Sequence, residues 1–504
     1  MDRRAKLLLL LLAAVSAARV LAFGVLDRRP LFGGWEAPDL QRSMFYHYGL
    51  RGHLDWTFAE QIARDGFKPP LWYGGVPVLF GWKDSLSAFD FLAVNAVALV
   101  VTMLVVAALA SRIGGPRAAL PAAVLTAALP GIAWRVGMIG VEQTHMALLP
   151  LAVLLCLALL KQAERSARHA TIIGALLGAV VGASLLVKWN FGAYIALPLL
   201  LTLAFGLSTP LATLAGLATA AAVSAGLFLA WMLPYADLQD ILQQGAVGES
   251  DGESFAVYVD ALRTSLGPAG LALLPVAVIG LVTRPAERPP HPLRAAALVL
   301  SAIVGLLALH ALIPHKESRY LLPALPLLAV LLAGAVAWID NLPGRVTAWL
   351  LLFGMLVTSW MPGPPPPSTW SWAETLRFPV QDDYGIDAVL AHPSLRERER
   401  TVVTFALSGE GRFPLLTFLH WELYGRNPNP VLSRSDWDDV TSKACAFDLE
   451  RSTHFLTSRP LDVQEEAALR SMGFERVIHA TPRIADVPSL ALWALDARSA
   501  PRYR

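Results

Sequence analysis

The densest chemistry in this chain is a run of six residues, His315-Lys316-Glu317-Ser318-Arg319-Tyr320, set between two apolar stretches, Ala295 to Ile313 and Leu321 to Ile339. Each stretch is long enough to cross a bilayer. Ionisable side chains at a membrane boundary are expensive and tend to be kept for a partner. A Lys and an Arg this close together suit a phosphate, Arg as a two-pronged donor and Lys as a compact point charge. Long cationic side chains also snorkel to anchor helix ends. Anchoring alone does not call for His, Glu and Tyr in the same run, so the phosphate reading explains more.

Other candidates lie outside the apolar runs. A polar, aromatic segment from Asp27 to Ser87 holds Trp35, Glu36, Asp39, Tyr46, His47, Tyr48, His53, Trp56, Trp72, Tyr73 and Trp82. Such a density of Trp and Tyr fits a surface in the membrane interface, and equally a carbohydrate site where flat rings stack on sugar C–H faces. Pro38 to Tyr46 reads as a helix start with Asp39 in its first turn, where an acid is also explained by capping or by the helix dipole. Glu142, with His145 one turn later, could hold a hydroxyl or a divalent ion; a helix N-terminal acid is the plainer alternative. Two residues do not make a metal site, so no metal is assigned and a divalent cation stays only a possible cofactor. Lys188, between Val187 and Trp189, is either a phosphate ligand or a snorkelling lysine, and Lys68 stands before the stiffening pair Pro69-Pro70.

The elements that must position these groups follow from composition. The chain has 504 residues, 55% hydrophobic and 16% charged, against a usual charged fraction of about 25%. Its mean hydropathy is +0.50. That excludes a soluble globule and predicts an α-helical polytopic membrane protein. A net charge of +2 is the difference between 41 basic and 39 acidic residues and predicts no nucleic-acid partner. Cys156 and Cys445 offer neither a disulfide framework nor a metal or redox spacing. Apolar runs begin at Leu7, Phe89, Ala118, Met146, Ala170, Phe191, Leu211, Gly267, Ala295, Leu321 and Val346, about eleven spans in all. Arg3, Arg4 and Lys6 before the first run predict an uncleaved helix with a cytoplasmic N-terminus rather than a signal peptide. Counted from there, the loops carrying Arg112 and Arg117, Lys161 to Arg168, Arg284 to Arg294, and Arg345 all fall inside. Segment 27–87, Glu142, Lys188, the acidic loop from Tyr235 to Arg263 and the six-residue run all fall outside, so the candidate chemistry shares one face.

The domain expectation is a membrane domain over 1–361, with 27–87 as a large first outer loop, and an outer α/β domain over 362–504. A stiff linker, Pro362 to Pro367, separates them. Strands are expected at Thr401–Ala406, His454–Thr457, Arg476–Ile478 and Ala491–Leu495, with helices at Leu415–Tyr424 and Val463–Met472. Ser408-Gly409-Glu410-Gly411-Arg412 lacks the glycine spacing of a dinucleotide loop.

An acid in a long first outer loop, Lys68-Pro69-Pro70-Leu71-Trp72-Tyr73 at its far end, Glu142 before a span, Lys188 closing another, and His-Lys-Glu-x-Arg-Tyr late in the chain occur here in an order that resembles the GT-C-fold integral membrane glycosyltransferases. The likeness covers roughly the first 360 residues. It is nearest to bacterial relatives of protein O-mannosyltransferases and of the aminoarabinose transferase acting on lipid A. The late motif is similar to that of dolichol-phosphate-mannose-dependent mannosyltransferases. The resemblance implies transfer of a sugar from a polyprenyl-phosphate donor to a hydroxyl of a lipid, glycan or protein at the outer face, which is periplasmic if the membrane is a bacterial inner membrane. It implies Asp39 as the base that takes the hydroxyl proton. The family's usual Asp-Glu pair is replaced here by Glu36-Ala37-Pro38-Asp39, so Glu36 remains an alternative, with Glu142 a third acid at the acceptor. Lys68, Lys188, His315, Lys316 and Arg319 would bind the donor phosphate, and Trp35, Trp72, Tyr73 and Tyr320 the sugar or acceptor. Direct displacement would invert the anomeric carbon. The rival class is a lipid-linked-sugar flippase or other transporter, which keeps its polar site near the bilayer midplane; within the enzyme class, a ligase using a diphosphate-linked oligosaccharide is also open.

Overall fold

A computed structural model describes residues 3–26, 36–52, 57–66, 68–83, 86–235, 255–282, 291–312, 318–360, 386–396, 402–406, 431–436, 449, 452–457, 461–479 and 490–495. The expected Pro-rich linker, most of the acidic loop, the run Ser408–Arg412 and the helix Leu415–Tyr424 lie outside them. The chain divides into two compact units: Met1–Gly24, Thr57–Val76 and Ala88–Pro362 form the first, and Val25–Trp56, Pro77–Ser87 and Gly363–Arg504 the second.

The first unit is a helical bundle built from runs of Leu, Ala and Val. Its long helices are α1 (Arg3–Leu26), α5 (Ala88–Gly114), α8 (Glu142–Ala163), α9 (Ala167–Val187), α10 (Phe191–Phe205), α11 (Pro210–Tyr235), α12 (Ala256–Val282), α13 (Pro292–Leu312) and α15 (Leu342–Trp360). A 3-10 turn at Ser318–Ala324 leads into α14 (Leu325–Ala337). Shorter helices are α3 (Phe58–Arg64) and α6 (Ala119–Ala128) with α7 (Pro130–Ala133), and α4 (Pro70–Leu79) runs from this unit into the second. Among the described residues ten helical stretches are long and apolar enough to cross a membrane, and Pro116–Ala128 with Pro130–Gly137 make an eleventh, bent by 55°. This matches the count of apolar runs.

The bent element has a local cause and a distant repair. Leu129 leaves helical geometry at ψ 121, and Pro130 has no N–H to continue the ladder. In lipid a freed peptide group must find another partner. Trp360 Nε1 donates to Ala127 O at 2.9 Å and Ser359 Oγ to Ala128 O at 2.7 Å. Arg19 then bridges the carbonyls of Ala133 and Ser359 at 2.9 and 3.1 Å. At the other end, Arg117 lies 4.0 Å from Asp340, just past the close of α14. The element therefore runs from one end of the bundle to the other.

Alternation of the helices sorts the ends chemically. Arg112, Arg117, Lys161, Arg165, Arg294 and Arg345 gather at one end, where Arg117 lies 4.0 Å from Asp340 and Arg294 4.0 Å from Glu164. Glu142, Lys188 and Arg319 lie at the opposite end, where α8 starts and α9 and α13 finish. Helix α12 breaks at Gly267, whose φ of +64 precedes Pro268.

The second unit contains α2 (Glu36–Arg51), tied to the Pro77–Ser87 stretch by Arg51 Nη1 donating to Lys83 O at 2.8 Å. It also holds a five-stranded sheet in the order β2-β1-β3-β5-β4. These strands are β1 (Val402–Ala406), β2 (Val431–Asp436), β3 (His454–Thr457), β4 (Phe474–His479) and β5 (Ala491–Leu495). Strand β1 runs parallel to β2 and β3, and β5 is antiparallel to β3 and β4. Phe455, Phe474, Leu469 and Trp493 form its core. Helix α18 (Val463–Ser471), which follows α16 (Ile386–Ala391) and α17 (Pro393–Arg396), starts with a capping box between Asp462 and Glu465.

Helices α9 and α11 approach through small residues, Gly174, Gly178 and Gly182 facing Gly216, Ala220 and Ser224, the pattern that lets membrane helices pack backbone to backbone. A Cβ on Gly174 would strike the Gly216 carbonyl, whereas nothing lies within 4 Å of one on Gly226. Gly174→Ala is expected to lower stability by about 1–3 kcal/mol through overpacking, and Gly226→Ala to raise it by up to about 1 kcal/mol through helix propensity. Thermal unfolding in detergent micelles distinguishes the two.

Candidate active site

Helix α8 begins at Glu142 because the chain before it is pinned from below. Asn95 Nδ2, on α5, donates to Val136 O at 3.0 Å and to Met138 O at 2.7 Å, and Gln143 Nε2 donates to Arg135 O at 3.0 Å. The Glu142 carboxylate thus sits over a helix N-terminus, 5% exposed, facing the end of α9. Lys188 leaves α9 in extended geometry, and its Nζ donates to Glu142 Oε1 at 2.8 Å. Arg319 Nε, from the 3-10 turn, lies 3.9 Å from the same oxygen. Two cations and one carboxylate meet in a setting where Lys188 is 22% and Arg319 17% exposed. Removing charges so far from water is costly unless they are paired.

Tyr320 organises the other side of the cluster. Lys188 Nζ stands 4.2 Å from its ring centroid and the Arg319 guanidinium 5.4 Å. Its opposite flank stacks on His310 at 4.6 Å and 13°. His310 Nε2 is 2.8 Å from Tyr194 OH, and the Tyr258 ring lies 6.0 Å from the imidazole. His145 turns away from Glu142: its Nε2 donates to Ser184 O at 3.1 Å, and its ring packs 5.0 Å from Phe191. Among the described residues no three His, Cys, Asp or Glu side chains gather as metal ligands would.

Four of the residues singled out in the sequence, Glu142, Lys188, Arg319 and Tyr320, are therefore neighbours, although they come from three separated stretches. His310, Tyr194 and Tyr258 join them and carried no motif. The available signal was a histidine inside an apolar span, where ionisable groups are rare. Asp39 belongs to the second unit: it lies on α2 and is buried, with Arg42 Nη1 3.9 Å from its carboxylate. Ser43 and His47, at successive four-residue steps along the same helix face, are buried too. Glu36 starts α2, but its side chain, like Trp35, His315 and Lys316, lies outside the described residues. Lys68 is half-buried at the entry to α4. Trp72 and Tyr73 on α4 are buried, with the Trp72 ring 5.2 Å from Tyr73 and 5.5 Å from Phe91.

Residues 263–363, about a fifth of the chain, match the model of the Alg9-like mannosyltransferase family, and that segment contains His310, Arg319 and Tyr320. A search of curated proteins finds no match. Among solved structures, ArnT from Cupriavidus metallidurans in the apo state superposes with a TM-score of 0.64 at 14% identity, covering 99% of this chain and 100% of that one. The same protein bound to undecaprenyl phosphate gives 0.62 at 14% identity over 98% and 99%. Arabinofuranosyltransferase AftD from Mycobacteria gives 0.50 at 18% identity, covering 99% of this chain and 40% of that one. The fold is the GT-C fold of integral membrane glycosyltransferases.

The Glu142–Lys188 contact generates a stability prediction. Lys188→Met strands a buried carboxylate and is expected to cost about 3–5 kcal/mol, lessened by whatever Arg319 supplies. Adding Glu142→Gln should return most of that loss. A double-mutant cycle in thermal unfolding reads the coupling.

Proposed function

We propose that this multi-pass membrane protein of GT-C fold is a glycosyltransferase that moves a sugar from a polyprenyl-phosphate donor to an acceptor hydroxyl, at the outer face of the membrane and with inversion. The observation that carries the reading is the convergence of Lys188, Arg319 and Tyr320 on Glu142 at the end of the bundle opposite the arginine-rich loops. Basic loops stay cytoplasmic, which supports an outer location for the cluster. Its position at helix ends rather than at mid-span favours a transferase over a flippase. The likeness to an ArnT structure bound to undecaprenyl phosphate supports the same donor class.

The chemistry follows from where charge develops. As the glycosidic bond breaks, its electron pair goes to the lipid phosphate, which needs fixed donors in a poorly hydrated site. Lys188 and Arg319 serve as those donors, and the sequence motif adds Lys68, His315 and Lys316 as further phosphate ligands. Glu142 holds the two cations at the right spacing until a phosphate competes for them. Tyr320, braced by His310, keeps the cationic groups over its ring. On chemical grounds we assign to Asp39 the role of the base that takes the proton of the acceptor hydroxyl as that oxygen attacks the anomeric carbon and the phosphate leaves. A single displacement of this kind inverts the centre.

Purified protein in proteoliposomes, given radiolabelled polyprenyl-phosphate sugars and membrane acceptors, tests the reading. Lys188→Met and Arg319→Ala should each lower transfer by about 10²–10³-fold. Asp39→Asn should lose about 10²–10⁴-fold while still binding donor. An active Asp39→Asn moves the base to Glu36 or Glu142. Labelled lipid crossing the bilayer with no transfer would hand the case to the flippase.

A further inference from the structure

At the arginine-rich end of the bundle, far along the helices from the cluster above, a groove of about 320 Å³ opens between the start of α1, the turn at Pro116–Ala118, the end of α14 and the start of α15. Its floor is apolar, with Ala5, Leu120 and Val336 among the lining side chains, and Arg117 and Arg345 stand on its rim with Trp349. We propose that this groove binds the headgroup of an anionic phospholipid, its phosphate between the two guanidiniums and its acyl chains along α15 and α1.

The spacing on α15 is that of a lipid-facing ruler. Arg345, Trp349 and Phe353 follow one another at four-residue steps, so they lie on one helix face, one turn apart. Arg345 is at the helix start, Trp349 is 42% exposed and Phe353 65% exposed. That order, cation, amphipathic ring, hydrocarbon ring, matches the passage from headgroup to acyl region. Leu350 beside it and Leu8 and Leu11 on α1 are also exposed, so the groove continues into apolar surface on both sides.

Charge around the groove selects the headgroup. Asp340 lies 4.0 Å from Arg117, but the two are 58% and 76% exposed. An exposed pair at that distance contributes little, which leaves Arg117 able to bridge to a phosphate. Arg3, Arg4 and Lys6 stand on the first turn of α1, next to Ala5. Cations therefore outnumber acids at the mouth, favouring an anionic lipid over a zwitterionic one. The volume is at the lower end of small-molecule sites, about 300–1,000 Å³, room for a headgroup with its chains outside.

Protein extracted into mild detergent and supplied with phosphatidylglycerol or phosphatidylcholine can be scored for retained lipid by native mass spectrometry. Wild type should retain phosphatidylglycerol in preference. Arg117→Gln and Arg345→Gln should each weaken that retention by about fivefold, with no change in the unfolding temperature of lipid-free protein. Asp340→Asn should strengthen it. Equal retention of both lipids by wild type, or undiminished phosphatidylglycerol on the double variant, would overturn the proposal. So would displacement by inorganic phosphate at matched concentration, which would identify a site for a soluble anion instead of a lipid.

Discussion

A carboxylate enclosed as Glu142 is can remain charged only beside fixed cations, and much of the site end of the bundle is arranged around that requirement. Lys188 is delivered by the end of one helix and Arg319 by a 3-10 turn more than a hundred residues later. Neither element makes sense as an isolated boundary. Together they compensate the same oxygen, at 2.8 and 3.9 Å. The ring of Tyr320 then shares both cations, and His310 stacks on that ring while Tyr194 hydrogen-bonds His310. The result is a set of positive groups held at a fixed spacing while already partnered; in the proposed transfer, an incoming phosphate would exchange for a carboxylate rather than order loose side chains. Preorganisation of this kind is what electrostatic stabilisation of a leaving group depends on.

The two ends of the bundle solve different problems with similar residue types. At the site end the cations are largely buried and fixed by specific partners. At the opposite end Arg117 and Arg345 are exposed, and their surroundings are apolar rings and leucines graded along the helix axis. Burial, not residue identity, separates the two arrangements.

Much of the fold was legible because its causes are local. Long runs of Leu, Ala and Val identified the spans, and even the crossing broken at Pro130 had the necessary length. Strands such as His454–Thr457 and Ala491–Leu495 announced themselves through β-branched or aromatic residues between turn signals. Edge strand β2, Val-Leu-Ser-Arg-Ser-Asp, did not, since its sequence is two-thirds polar and reads as loop. The site was legible as a set of residues and not as a set of contacts. Glu142 and Lys188 each had a plain alternative reading, and only tertiary packing brings them together across 46 positions. His310 stood out only as a histidine inside an apolar helix. No local pattern reports that it lies against Tyr320.

The bend at Pro130 has a consequence for how the protein is made. The carbonyls of Ala127 and Ala128 are closed by Trp360 and Ser359, which follow them by 233 and 231 residues. A ribosome adds about 5–20 residues per second, so roughly 10 to 50 seconds separate the emergence of the break from that of its partners. During that interval the third crossing enters the membrane with its broken turn unsatisfied by protein, and water, lipid headgroups or an insertion partner must serve in place of α15. Completion of an early segment thus waits on a late one, which makes the last span of the bundle a clasp for the assembly of those before it.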